Sequence, residues 1–566
     1  MSRIRQCVTT AATLALFATG LATGAGISPA AAQQVVLRAK AGEFEFAGRL
    51  KSRTAASFVI ETVSGEVTLD AAQFVCTGEG CPAARSVTAT ATERLAIHGS
   101  TIIGQTLMPQ LIRDYAATLG AQVEQTTSEK RNESRIRVRN TQKSEIAAID
   151  LQRYGSQTAF TALARGEAQI GLSTRPVTDG EARALAPLMP GERVVQHEHV
   201  LGLDAIVFVV APGNPIASLT IDQIARIFAG QITDWQELGQ SAGPINVYAA
   251  DAGSGTFDAF KELVLKPRNL VPGAYVRRMD ANAELSETVA ADPRAIGMTS
   301  LATVNKARTV AIAGTCGLVT EASAFTIKTE DYPLSRRLYL YTAGPLKGEF
   351  AQGLLKYALS AKAQSVVLGN RFVDQRVDSL GYAEQAPRFQ PKPAAGAADQ
   401  IAERQLLADV GVARRLSIAF RFASGSSEFQ SKAREDVLRL AELLQAADFQ
   451  KKTVTLLGFT DETGSPLANT RLAQRRADQV RAAVLAAGAG KINPRQIAAR
   501  GYGPLSPVAC NDTLQGQQLN RRVEVWMRDL NTAADAVDPA EALRARQAAQ
   551  AAAQTAAQTA SKAQRR

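Results

Sequence analysis

From about residue 91 to 385 the chain switches repeatedly between two hydrophobic periods. Strand-like runs such as Ala205-Ile206-Val207-Phe208-Val209-Val210 alternate with helical stretches such as Leu107 to Leu119, where Leu107, Leu111, Ile112 and Tyr115 recur at helical spacing. That alternation argues an α/β domain. At 566 residues the chain has room for about three or four domains, and 46% hydrophobic residues supply packed cores for them. A disordered chain, a collagen, a coiled coil and a small disulfide-rich toxin are excluded. Past the first 30 or so residues no run approaches the roughly 18 apolar residues of a membrane-spanning helix. The mature chain is expected to be soluble, with no transmembrane segment.

The amino terminus reads as an export signal over residues 1–32. Arg3 and Arg5 give a positive start, Ala11 to Leu21 a short apolar core, and Ala30-Ala31-Ala32 a small-residue cleavage site before Gln33. Cys7 leaves with this segment, and the other four cysteines reach an oxidising compartment. Cys76 and Cys81 bracket a turn-rich loop and are the expected disulfide; a metal at this pair would need two more ligands nearby, and none appears. Cys316 and Cys510 admit either a long bridge or two buried thiols.

We expect a multidomain, mainly α/β protein. Residues 33–90 alternate in short runs (Val35-Val36-Leu37, Phe44-Glu45-Phe46, Val67-Thr68-Leu69) and form a small β module of unreadable function. Residues 91–385 are the α/β domain, and 386–412, rich in Pro, Ala and Gln, a linker. Residues 413–528 form a second α/β unit, and 529–566 an Ala/Gln-rich tail, helical or disordered.

Three segments of the central domain share one chemical character. His98-Gly99-Ser100-Thr101, Tyr154-Gly155-Ser156-Gln157-Thr158 and Gly253-Ser254-Gly255-Thr256 each place small and hydroxyl residues before a helix. Backbone N–H groups and hydroxyls there can point at a common guest, and the helix dipole favours negative charge. One such segment is ordinarily a helix cap; three in one domain point to an anion site. Ser173-Thr174-Arg175 adds a guanidinium fit for an oxyanion or for an ion pair. Neither a Gly-x-Ser-x-Gly elbow nor a phosphate loop is present. His197 and His199 would share one face of a strand, too few ligands for zinc, and His98 stands beside the first segment as a pH-sensitive neighbour. No catalytic residue, metal or cofactor is expected.

These segments resemble the phosphate-binding members of the periplasmic substrate-binding proteins. The order matches through Gly99-Ser100-Thr101, Gly155-Ser156, Ala168 to Pro176, Ile224 to Trp235, Ser254-Gly255-Thr256, Ala295-Ile296-Gly297-Met298 and Ala363 to Val367. The resemblance implies two α/β lobes closing on an oxyanion. Ser100, Thr101, Ser156, Ser254, Gly255 and Thr256 would line the cleft, with Ser173 and Arg175 beside them. The family often carries an Arg shortly before Ser-Gly-Thr; here Tyr248-Ala249-Ala250 stands instead. Losing such a donor typically removes about 1.5–3 kcal/mol of oxyanion binding.

In the C-terminal unit, Ile418-Ala419-Phe420 and Val454-Thr455-Leu456-Leu457 read as strands, and Asn469 to Leu485 as a helix with Ala473, Ala477, Val480 and Val484 on one face. Gly458-Phe459-Thr460-Asp461, Asn469, Leu472, Arg476-Ala477, Gly501-Tyr502-Gly503 and Asn520-Arg521-Arg522-Val523-Glu524 resemble the outer-membrane protein A-like peptidoglycan-binding domain, an α+β fold of order βαβαββ. In that family an Asp and an Arg grip the zwitterionic end of diaminopimelate. The matching residues are Asp461 and Arg476, with Asn469 and Arg522 as secondary contacts. A carboxylate for the ligand ammonium and a guanidinium for its carboxylate would reject neutral or truncated peptides.

The combined expectation is a binder: a periplasmic protein, tethered to diaminopimelate-containing peptidoglycan close to the outer membrane, that displays a receptor-like domain for phosphate or another small oxyanion. The alternative is a wall-bound structural or signalling scaffold whose receptor-like domain meets a protein partner of the envelope. Residues 413–528 hold 18 Lys and Arg against 10 Asp and Glu, an excess suited to an anionic wall. Export argues against nucleic acid as a partner.

Overall fold

The computed structural model describes residues 34–39, 45–53, 57–62, 65–70, 74–77, 92–130, 132–250, 254–279, 282–389, 397–422 and 431–529. The expected signal peptide, Cys81 and residues 530–566 of the expected tail lie outside them.

The N-terminal module is one antiparallel sheet in the order Gly65–Asp70, Ser57–Thr62, Glu45–Arg53, Gln34–Ala39, Phe74–Thr77. Its period-2 pattern buries Val35, Leu37, Phe58 and Ile60 together. Cys76, on the last strand, is disulfide-bonded.

In the central domain one long sheet serves both lobes. Its order is Arg277–Met279, Asn246–Ala250, Ala295–Ser300, Glu198–Val210, Ser335–Thr342, Ile170–Ser173, Glu93–Gly99, Glu145–Gln152, Glu133–Arg139, Gln122–Thr127. The apolar run at 205–210 belongs to the strand Glu198–Val210, in which every residue from Val200 on is buried. Burial on both faces is what a continuous β-branched run demands. Its first half pairs with Ser335–Thr342 and its second half with Ala295–Ser300, so this strand passes from lobe I into lobe II. Lobe I packs Leu95, Ile97, Leu111, Ile112, Ile149 and Leu354. Lobe II packs Val207, Ile224, Val247 and Leu285 around Phe208, Phe228 and Phe260, whose ring centroids lie 4.9–5.9 Å apart. The helix expected over Leu107 to Leu119 spans Met108–Thr118.

The C-terminal sheet has the order Ser379–Gly381, Arg414–Arg421, Arg522–Asp529, Lys452–Phe459, Ile497–Gly501. Helices Ser431–Gln445 and Pro466–Ala487 cover one face, burying Leu440, Leu444, Val480 and Val484 against Ile418, Val454 and Val525. A short helix, Leu514–Asn520, is added before the last strand of the expected order. The stretch 386–412, expected as a linker, is partly folded: Ala397–Val410 is a helix whose Leu406 and Val410 pack on Leu457, Phe459 and Trp526. They join Tyr382, Ala386, Phe389, Tyr502 and Leu505 in covering the sheet face opposite the two helices.

The central and C-terminal domains form one compact unit. Cys316 and Cys510 are bridged, with Cα atoms 5.6 Å apart, which settles the open alternative in favour of the long bridge. Between the same two domains, Asp331 of lobe II accepts from Arg415 at 2.6 Å and Arg421 at 2.7 Å, all three buried. Lobe I is held as well: Arg434 donates to the Val195 carbonyl at 2.7 Å and Arg439 to Gln375 Oε1 at 2.6 Å.

Candidate functional site

The cleft segments of lobe I are tied to one another through the backbone. Gly99 ends its strand at φ 136°, where a Cβ would lie 2.1 Å from the Leu172 carbonyl oxygen, so only glycine fits this crossing. The Gly99 carbonyl then accepts from Gly155 N at 3.0 Å, which sets the start of the helix Ser156–Ala164 beside it. Ser100 is buried, its Oγ facing Ile103 N at 3.5 Å, and Thr101 Oγ1 donates to the Arg153 carbonyl at 3.1 Å.

Ser156 reaches the strand end opposite. Its Oγ accepts from Thr174 N at 3.0 Å and lies 3.4 Å from Thr174 Oγ1, giving two buried hydroxyls side by side. Lobe II meets this pair with Gly255: a Cβ there would stand 3.3 Å from Thr174 Oγ1 and 3.6 Å from Ser156 Oγ. Ser254 caps the helix Gly255–Phe260, its Oγ accepting from Thr256 N at 3.3 Å. Thr256 Oγ1 accepts from Arg336 Nη2 at 2.9 Å. Ser156, Thr174, Gly255, Thr256 and Arg336 therefore converge where the lobes face each other.

Two expected residues are spent elsewhere. Ser173 is folded onto its own turn, donating to the Arg175 carbonyl at 2.6 Å. Arg175 forks onto Glu181 at 2.8 and 2.7 Å and lies over the Phe160 ring, the ion-pair use of this residue. Thr174 and Arg336 were not singled out from the sequence. The available signal was a charged pair inside buried strands: Asp204 interrupts the apolar run, and a carboxylate there requires a cation such as Arg336. His98, its pKa lowered by burial, lines a separate cavity of about 690 Å³ with Ser134, Asp150 and Gln152, to which none of the converging residues contributes. His199 is half-buried, and its burial together with His197 lowers its pKa to about 4.

In the C-terminal domain the strand Lys452–Phe459 delivers Asp461 to the start of the helix Pro466–Ala487. Asp461 accepts from Thr463 N at 2.8 Å and from Arg521 Nη1 at 2.7 Å; against burial, these bonds hold its carboxyl below the usual range. Asn469 Nδ2 donates to the Asp461 carbonyl at 3.3 Å and the Thr463 carbonyl at 3.1 Å, fixing the loop. Arg476, two turns on along the same helix face, lies over the Phe422 ring at 5.0 Å. Burial lowers its pKa to about 10, which leaves it a cation at neutral pH. Arg522 sits apart from this group: fully buried, it donates to Glu524 at 2.7 Å and to the Ser506 carbonyl at 2.7 Å. Its neighbour Arg521, part of the same sequence motif but with no role expected of it, is the one that reaches Asp461. The two alternate across a strand start, and only the geometry tells which faces the loop.

Among the described residues no helix is long and apolar enough to cross a membrane. Residues 87–362 match the model of the PBP superfamily domain, and residues 421–521 that of the OmpA family. The chain is 28% identical over 251 residues to the phosphate-binding protein PstS of Pseudomonas aeruginosa, covering 40% of this chain and 73% of that protein. It is 34% identical over 109 residues to the probable lipoprotein YiaD of Escherichia coli, covering 19% of this chain and 48%, about half, of that protein. It is 34% identical over 104 residues to outer membrane protein A of Bordetella avium, covering 18% of this chain and 51% of the relative.

Proposed function

From a chain that joins a PBP superfamily domain at 87–362 to an OmpA family domain at 421–521, we propose a peptidoglycan-anchored receptor for a small oxyanion in the periplasm. The observation that carries this reading is the meeting of Ser156 and Thr174 from lobe I with Gly255 and Thr256 from lobe II, a set of hydroxyl and small groups suited to an acceptor-rich guest. Phosphate is the first candidate, since the PstS relative is named for binding it. Ser100, Thr101 and Ser254 support the cleft walls. The C-terminal domain anchors the receptor: Asp461 takes the ammonium of diaminopimelate and Arg476 its carboxylate, while Asn469 fixes the loop between them. The protein acts as a binder, not an enzyme, and is held near the outer membrane by its anchor.

The test is a thermal melt of the full chain with phosphate, sulfate and phosphorylated metabolites. A ligand at a hundredfold its dissociation constant stabilises by about 2.7 kcal/mol. A shift with one anion is the expected result. Cooperative melting that no anion shifts would overturn the receptor reading and favour the wall-bound scaffold that meets a protein partner.

A further inference from the structure

The cleft residues expected from the sequence bring no free cation: Arg175, the one guanidinium among them, is bound to Glu181. Arg336 fills that gap from an unexpected direction. It stands on Ser335–Thr342, next to the strand that passes between the lobes, and its side chain is only 4% exposed. Its Nε and Nη2 donate to Asp204 Oδ2 at 2.9 and 2.6 Å, and Nη2 also donates to Thr256 Oγ1 at 2.9 Å. Asp204 is held in turn by Ser300 Oγ, 2.9 and 2.8 Å from its two oxygens. One edge of the guanidinium is thereby fixed. The remaining nitrogen, Nη1, is buried without a hydrogen-bond partner among the described residues.

Resting on the oxyanion reading above, we propose that Arg336 is the cationic contact of the cleft, with Nη1 and the Thr256 hydroxyl donating together to one tetrahedral oxyanion. The direction of the existing bond supports this. Thr256 Oγ1 accepts from Arg336, so its own proton is left for another acceptor. A buried guanidinium nitrogen with no partner is unfavourable, and an anionic acceptor removes that penalty while making a charge-assisted bond. Asp204 and Ser300 are positioning residues: Asp204 takes Nε and Nη2, Ser300 holds Asp204, and the fork is aimed as a result.

The experiment measures binding of radiolabelled inorganic phosphate to the full chain by equilibrium dialysis, beside a thermal melt. The double variant Asp204→Asn/Arg336→Gln removes both buried charges together. It is expected to melt cooperatively and bind phosphate roughly 10- to 150-fold more weakly, the range for losing one charged hydrogen bond. A double variant that folds and keeps the parent affinity overturns the assignment. Should it not fold, a crystal structure of the unmodified chain with phosphate decides: an oxygen within about 3.2 Å of Nη1 supports the proposal, and phosphate bound with no oxygen that close overturns it. An unmodified chain that holds no phosphate in dialysis overturns the receptor reading itself, and this assignment with it.

Discussion

Cys316 and Cys510, 194 residues apart in sequence, join a loop of lobe II to the C-terminal domain. A bridge closing so long a loop restricts the unfolded chain, and such bridges typically contribute about 2–4 kcal/mol. The double variant Cys316→Ser/Cys510→Ser is expected to lose that much in denaturant unfolding. An unchanged midpoint would show that the contacts around the bridge carry the junction alone.

Asp331 is the second fastening at this junction. Asp331→Ala leaves Arg415 and Arg421 buried without the carboxylate between them, and breaking a buried pair from one side costs about 3–5 kcal/mol. Denaturant unfolding should show a loss at least as large as that of the cysteine variant.

Acid should open the same region. Burial alone would raise the carboxyls of Glu524 and Glu330, yet the guanidinium groups of Arg388, Arg415 and Arg522 hold the first at about 2, and Arg337 with Lys432 and Arg421 the second at about 2, against an ordinary 4.5. Folded values below the unfolded one mean stability that is fully present above pH 4.5 and lost as pH falls toward 2. The melting temperature, followed against pH, is expected to drop steeply in that window. A flat profile there would contradict the paired arrangement.

His199 adds a milder slope at higher pH. Kept neutral down to about 4 by burial and His197, it leaves the unfolded state to take the proton first, so stability declines as pH drops from 6.5 to about 4. His199→Gln should flatten the melting profile between those limits.

The proposed wall site separates two adjacent arginines. Asp461→Ala and Arg476→Ala are expected to abolish sedimentation of the full chain with diaminopimelate-type sacculi, and Arg521→Ala to weaken it. Arg522→Ala is expected to lower stability by about 3–5 kcal/mol, because it strips a hydrogen-bonded partner from buried Glu524. Normal sedimentation of the Asp461 and Arg476 variants would remove the anchor assignment.

Local periodicity carried the elements well. The run at 205–210, the helix near Leu107 to Leu119 and the strands at 418–420 and 454–457 all lie within or across observed elements of the same type, because each buries a face that its own spacing defines. The helix Ala397–Val410 escaped notice since an Ala- and Gln-rich composition hides the few side chains that pack. Arg336 and Asp204 were illegible for another reason: 132 residues separate them, and no local pattern records a partner that distant. Arg175 and Arg521 show the same limit from the opposite side. Sequence spacing brought each near a site, and only the position of Glu181 or Asp461 determined what its guanidinium does.

Because Arg434 and Arg439 fasten the C-terminal domain to lobe I while Cys510 and Arg415 fasten it to lobe II, the C-terminal domain and the two lobes travel as a single block. A molecule mounted in that way has no leash. With the C-terminal domain on the wall as proposed, the cleft would keep one bearing and one height above the glycan mesh, and whatever gives it the proposed guest or takes it away would have to come to that spot.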